Sequence, residues 1–163
     1  MYMANSTAIS EFKKKVIYAI THDDTIFYTF GADECENGGD LENTHIFGFN
    51  KVPETIEISG MYITIMAHTK LRDRSGTYVT PTLEIWIYCR HDHMKMDRKI
   101  TKDNRCDYMS MLLDEMFNGS SEYGGIGELT LVSNTEGVYN KDFLFRRMIF
   151  ETTDINNSMC ERW

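Results

Sequence analysis

Two period-two runs in the middle of the chain constrain its fold more than any other stretch. Met-Tyr-Ile-Thr-Ile-Met-Ala-His-Thr (61–69) sets Met61, Ile63, Ile65 and Ala67 against Tyr62, Thr64, Met66 and His68. Pro-Thr-Leu-Glu-Ile-Trp-Ile-Tyr-Cys (81–89) sets Leu83, Ile85, Ile87 and Cys89 against Glu84, Trp86 and Tyr88. Successive side chains of a strand point to opposite faces, so β-branched and aromatic residues at this period mark half-buried strands. A helix would splay Ile63 from Ile65, and Ile85 from Ile87, onto different faces. Two such runs in succession predict an antiparallel pair. The link Lys70–Thr80 is too long for a two-residue turn and carries Lys70, Arg72, Asp73 and Arg74 around Ser75-Gly76, which predicts a projecting charged arm. The second face is unusual, because Tyr62, Met66, Trp86 and Tyr88 are too apolar for bulk water. A helix of the same chain or a neighbouring subunit is expected to cover it.

The flanking sequence supplies the other layer. Ser6 or Ser10 can cap a first helix, roughly Ser10 to His22, with Phe12, Val16, Ala19 and Ile20 on one face. Thr25–Phe30 fits a short helix and a short strand equally, and Gly31–Asp40 reads as an acidic surface loop. The aromatic patch His45–Phe49 follows, and Pro53 fixes an extended turn before the strand pair. After a polar loop at Arg90–Lys102, Asp103 or Asn104 caps a helix over about Arg105–Phe117. Tyr108, Met109, Leu112, Leu113, Met116 and Phe117 form its apolar stripe, with Asp107, Ser110 and Asp114 outside it, and Gly119 suits a left-handed cap. Gly124–Gly127 is a flexible lead into a strand at Glu128–Ser133; Asn134–Asn140 reads as a connection and Lys141–Thr152 as the last strand. In that strand Leu144, Met148 and Phe150 oppose Phe143, Phe145 and Ile149, and Arg146 and Arg147 interrupt both faces. The expected fold is one α+β domain spanning residues 1–163: a mostly antiparallel sheet of about four strands with helices packed on one face. Residues 1–9 and 154–163 are expected to be loose or held by a partner.

At 163 residues and 19.0 kDa the chain can bury a core without staples. A net charge of −8 argues against a dedicated nucleic-acid binder, whose phosphate contacts need a basic field. Charge is unevenly placed. Residues 23–42 hold Asp23, Asp24, Asp33, Glu34, Glu36, Asp40 and Glu42 with no Lys or Arg, whereas residues 90–105 hold Arg90, Lys95, Arg98, Lys99, Lys102 and Arg105 against three aspartates. Such segments are either solvated surface or complementary patches of a self-assembling protein. Cys35, Cys89, Cys106 and Cys160 have no paired spacing, the N-terminus opens polar, and no run approaches the ~18 apolar residues of a membrane span. Free thiols, synthesis in a reducing cytosol and no membrane association are expected.

Cys89-Arg-His91-Asp-His93, with Cys106 downstream, has metal-ligand residue types but no second pair at zinc-site spacing. No cysteine carries a glycine elbow or an orienting partner in sequence. Gly124-Gly-Ile-Gly127 lacks the Lys-Ser/Thr of a phosphate loop. Asp114 and Glu115 are adjacent on a helix and diverge. No catalytic residue, cofactor or metal site is therefore expected, and the chain reads as a non-enzyme.

Three segments together resemble the small tail-completion or tail-terminator proteins of tailed bacteriophages, especially those of Firmicutes phages. They are Lys51–Thr64, Leu83–Asp92 with the helix Arg105–Phe117, and Leu129–Val138 running into Phe145–Thr153. The likeness covers most of residues 10–155 and rests on element order and local wording, with no catalytic signature. It implies a virion protein forming a ring, usually hexameric, that ends the tail tube and joins it to the head. Its implied partners are further copies of the chain, the tail tube protein and the head-closure or adaptor proteins, with genome DNA crossing the lumen without specific binding. Lys70, Arg72, Asp73, Arg74, Arg146 and Arg147 are the expected assembly contacts. The acidic segment 31–42 has no counterpart in that pattern. Related neck proteins, stoppers and adaptors, are the nearest alternatives. A monomeric phage-encoded inhibitor with a nucleic-acid-like acidic segment is a second class, and a zinc enzyme using Cys89, His91 and His93 a third.

Overall fold

The computed structural model describes residues 5–51, 60–71, 74–123 and 127–155. The central pair forms as its alternation dictates: β2 (Met61–Leu71) and β3 (Tyr78–Arg90) run antiparallel in a register that sets Ile63 opposite Ile87 and Ile65 opposite Ile85. β5 (Phe143–Glu151) pairs antiparallel with β3, and β4 (Thr130–Val138) with β5. The two-residue β1 (Ile46–Phe47) joins β2 in parallel, and β6 (Asp154–Ile155) pairs with the start of β3. Among the described residues the sheet therefore has six strands, in the order β1-β2-β3-β5-β4 with β6 alongside β3, where the sequence suggests about four.

The three α-helices among the described residues contribute to the core on one side. α1 (Asn5–Thr21) and α3 (Arg105–Phe117) pack on the sheet, and the short α2 (Asp24–Phe30) packs against both helices. Their shared core holds Val16 and Ile20 of α1, Ile26 and Phe30 of α2, and Met109, Leu113 and Phe117 of α3. Against them lie Ile63, Ile65, Leu83, Ile85, Ile87, Met148 and Phe150. This is the α+β architecture with helices on one face.

Local chemistry explains several differences from expectation. α1 starts at Asn5, so residues 5–9 belong to a helix, and Asp154–Ile155, at the start of the C-terminal tail, form β6 against the beginning of β3. The ambiguous Thr25–Phe30 is helix because both ends are capped. Asp23 accepts from the Ile26 N–H at 2.9 Å, and Gly31 adopts φ +60° at the C-terminus, where a side chain is strained. Arg105 and His93 reinforce that C-terminus: Arg105 Nη1 donates to Thr29 O at 2.6 Å and His93 Nε2–H to Phe30 O at 2.8 Å. Ser110, placed outside the α3 stripe, is buried and donates to Asp107 O at 3.0 Å. β4 runs through Asn134–Val138, read as a connection, because these mostly polar residues form a solvent-facing edge paired with Met148 through Leu144. The arm is shorter than expected, since β2 and β3 stay paired to Lys70–Thr80 and Leu71–Val79. The turn around Pro53 and the residues 124–126 lie outside the described residues.

Candidate assembly face and the Glu34–Cys35–His45 cluster

The two faces of the sheet differ in what covers them. Opposite the helices lies a second cluster in which Phe47, Tyr62, Tyr88 and Phe143 are buried and Trp86, Tyr139 and Phe145 pack partly exposed. Among the described residues no helix residue belongs to it. Its rings hold one another: Tyr62 stacks on Tyr88 at 4.8 Å between centroids, Trp86 lies 5.0 Å from Phe145, and Phe143 meets Tyr62 edge-on at 5.8 Å. Toward β4 the cluster opens into a groove of about 480 Å³ lined by Met66, Glu84, Trp86, Tyr139, Phe145 and Val138. Val138 is 65% and Phe49 53% exposed. The outer edge of β4 pairs with no strand among the described residues.

Arg146 and Arg147, neighbours on β5, point to opposite faces. Arg146 turns to the helix side, where Nη2 reaches Asp107 Oδ1 of α3 at 2.5 Å and Glu136 Oε2 of β4 at 3.0 Å, and Nη1 reaches Asn134 Oδ1 at 3.0 Å. It thus ties helix, edge strand and central sheet together. Arg147 turns to the aromatic side, donating Nε–H to Glu84 Oε1 at 2.7 Å with its guanidinium 5.3 Å from the Trp86 ring. Burial alone would push Glu84 up. The bonds from Arg147 and Trp86 Nε1–H outweigh it and hold the carboxyl below its ordinary value of 4.5. Lys70 and Arg74 are exposed at the far end of the hairpin, and Arg72 and Asp73 lie outside the described residues. The four of these charged residues that are described are therefore dispersed: Lys70 and Arg74 lie at the hairpin end, Arg146 is committed to the fold, and Arg147 borders the open face.

The Cys89, His91, His93 and Cys106 set does not come together as a metal site among the described residues. Cys89 and Cys106 are free thiols buried against each other, and their hydrogen bond, with burial, pushes Cys106 far above its usual value. His93 is engaged with Phe30 O and His91 is exposed.

A different cluster forms instead, within the acidic segment. His45, 3% exposed, is fixed just before β1 by its N–H to Leu41 O at 2.8 Å and its carbonyl to Ile63 N–H at 2.7 Å, with Phe30 edge-on to its ring. Its Nε2 lies 2.8 Å from Glu34 Oε1 and its Nδ1 3.9 Å from Cys35 Sγ. The loop carrying Glu34 and Cys35 is shaped by Asp40, whose carboxylate accepts from Glu36 N–H at 2.9 Å and Asn37 N–H at 3.2 Å. Burial lowers the His45 pKa, with Glu34 opposing it, and burial with the Glu34 charge raises that of Cys35. Cys, His and Glu in contact have the order of a nucleophile, base and orienting acid. The protonated thiol, the long Sγ–Nδ1 separation and a histidine sealed beneath Phe30 are wrong for attack on a substrate. Sequence spacing hides this trio, since ten residues separate Cys35 from His45 and no motif joins them; its signal is a cysteine among acids with a histidine entering the next strand.

A family model described as YomW matches residues 12–152, most of the chain. No curated protein matches it.

Proposed function

This chain belongs to the YomW family, a phage-region-associated family, and from that premise we propose that it is a structural virion protein of a tailed phage. In this reading copies assemble side by side into a ring, six-fold by resemblance, at the head–tail junction. The ring ends the tail tube, meets the tube protein below and a head-closure or adaptor protein above, and lets genome DNA pass. The observation that carries the reading is the aromatic second face of the sheet, which among the described residues no helix covers and which opens beside an edge strand with no described partner. A neighbouring subunit on Trp86, Phe145 and Val138 would bury an apolar surface that a lone monomer leaves wet. The net charge of −8 suits a lumen wall that does not grip phosphates. In this reading the function is binding rather than catalysis, consistent with a Cys35–His45 pair whose histidine is sealed beneath Phe30. The acidic segment is poorly arranged to imitate nucleic acid, because Glu34 is held by His45 and Asp40 by backbone amides.

Deleting the gene from the phage tests this directly. Overlong tail tubes without heads are expected. Tubes of normal length left unjoined to heads would assign the ring to the stopper or adaptor position and overturn the terminator role. Normal infectious particles would overturn the virion role, and a stable one-to-one complex with a host protein would then point to an inhibitor.

A further inference from the structure

We propose that Glu34, Cys35 and His45 form a binding site for a divalent transition-metal ion of the zinc class, which clips the acidic loop to the sheet. Their carboxylate, thiol and imidazole donors all lie within 4.8 Å of one another. Bonds of about 2.0 Å to nitrogen and 2.3 Å to sulfur place two donors of a tetrahedral ion roughly 3.6 Å apart. The 3.9 Å between Cys35 Sγ and His45 Nδ1 is close to that separation. The site is graded in rigidity. His45 is sealed and bonded through its backbone to Leu41 and Ile63, while the half-exposed Glu34 side chain, which pairs with Nε2, would exchange that bond for one to the ion at Nδ1, and the ion would displace the Thr44 hydroxyl that lies 3.0 Å from Nδ1. Three protein donors with one side toward solvent leave a fourth position for water. Sulfur and nitrogen donors select zinc, cobalt or a similar ion over magnesium or calcium, which prefer all-oxygen sets.

Charge favours the same occupant. Residues 23–42 carry seven carboxylates and no Lys or Arg, so nothing within the segment offsets them. On binding, the Cys35 S–H bond breaks, its proton leaves to solvent, and the sulfur and imidazole nitrogen lone pairs form bonds to the ion. Thiolate and carboxylate then balance a dication. The loop between Cys35 and His45 is already closed by the Asp40 bonds and by the Asn37 cap on the turn at Gly38–Leu41, so little further ordering opposes binding. The signal is independent of the assembly face, which lies on the other side of the sheet.

Titrating the full-length reduced protein with cobalt(II) is the test. A thiolate-to-cobalt charge-transfer band saturating at one ion per chain is expected, together with a melting temperature that rises with zinc. The band should vanish in Cys35→Ser, weaken in Glu34→Gln and persist in Cys160→Ser. Both loop substitutions lie at the surface of a pre-formed loop, and circular dichroism confirms that the variants are folded. Wild-type protein that shows neither band nor zinc-dependent melting overturns the site. So does a band that survives Cys35→Ser, which would belong to another thiol.

Discussion

The two faces of one sheet treat the same kinds of residue in opposite ways. On the helix side aliphatic residues and phenylalanines from helices and strands interlock, and Arg146, which faces that side, is held by Asp107 and Glu136 with its side chain 16% exposed. On the other side aromatic rings pack mainly on each other, and Arg147, 38% exposed, borders the groove beside Glu84. The first face is closed by the chain itself. The second is closed at its Tyr62–Phe143 end and open at its Trp86–Val138 end. The lesson is that apolar content does not by itself say whether a face belongs to the fold or to an interface. What decides it is whether the chain supplies a cover.

The largest expected effect follows from breaking the closed face. Leu113, fully buried between α3 and the sheet, leaves a cavity when cut to alanine, and Leu113→Ala should cost about 2–5 kcal/mol in chemical denaturation. A loss under about 1 kcal/mol would mean that α3 packs more loosely than its burial indicates.

Arg146→Ala comes next. It strands the Asp107 carboxylate, which is 35% exposed and so partly rescued by water; the expected loss is about 1–3 kcal/mol, with no separate effect on assembly. Arg147→Ala should be milder for stability and more harmful to assembly, because its partner Glu84 keeps the Trp86 N–H and its guanidinium borders the groove. Equal effects of the two substitutions in both assays would erase the distinction between the faces.

How much of this could be read from the chain depends on whether local and tertiary signals agree. β2, β3 and α3 were legible because alternation, stripe and the Asn104 cap all point the same way. Even the opposed directions of Arg146 and Arg147 follow from strand geometry alone. α2 was not decided, since Thr-Ile-Phe-Tyr-Thr-Phe has strand-like composition, and its helical end is completed by Arg105 from 76 residues away. The extension of β4 through Asn-Thr-Glu-Gly was hidden by turn-forming residues that pairing with β5 overrides. Gly137 fits there because a Cβ would come within 2.9 Å of the Phe145 ring. The Glu34–Cys35–His45 trio was invisible for the same reason: its proximity is made by a loop that folds back on β1, not by spacing.

Glu84 gives a pH-dependent probe of the open face. Its folded pKa lies below 4.5, so its ionised form is favoured by folding, with stability present above the unfolded value and lost as pH falls through the folded one. Glu84→Gln should cost about 1 kcal/mol near neutral pH, the net size of one hydrogen bond. The gap from wild type should close as denaturation is repeated at pH values falling below 4.5. A gap that stays constant with pH would show that the side chain's shape, rather than its charge, holds Trp86 and Arg147.

The smallest effect on stability should accompany the largest effect on assembly. Val138 ends β4, pairs with Leu144 and is 65% exposed on the rim of the aromatic groove. A carboxylate there stays in water in the monomer, so Val138→Asp should shift stability by no more than about 0.5 kcal/mol. In a ring the same carboxylate would be desolvated against a neighbour's apolar surface and left unpaired, which an interface core does not tolerate. The variant should therefore melt with wild type yet fail to cap tail tubes in negative-stain images. A marked drop in melting temperature would show that the strand end belongs to the fold, and a folded variant that still caps tubes would remove this face from the assembly.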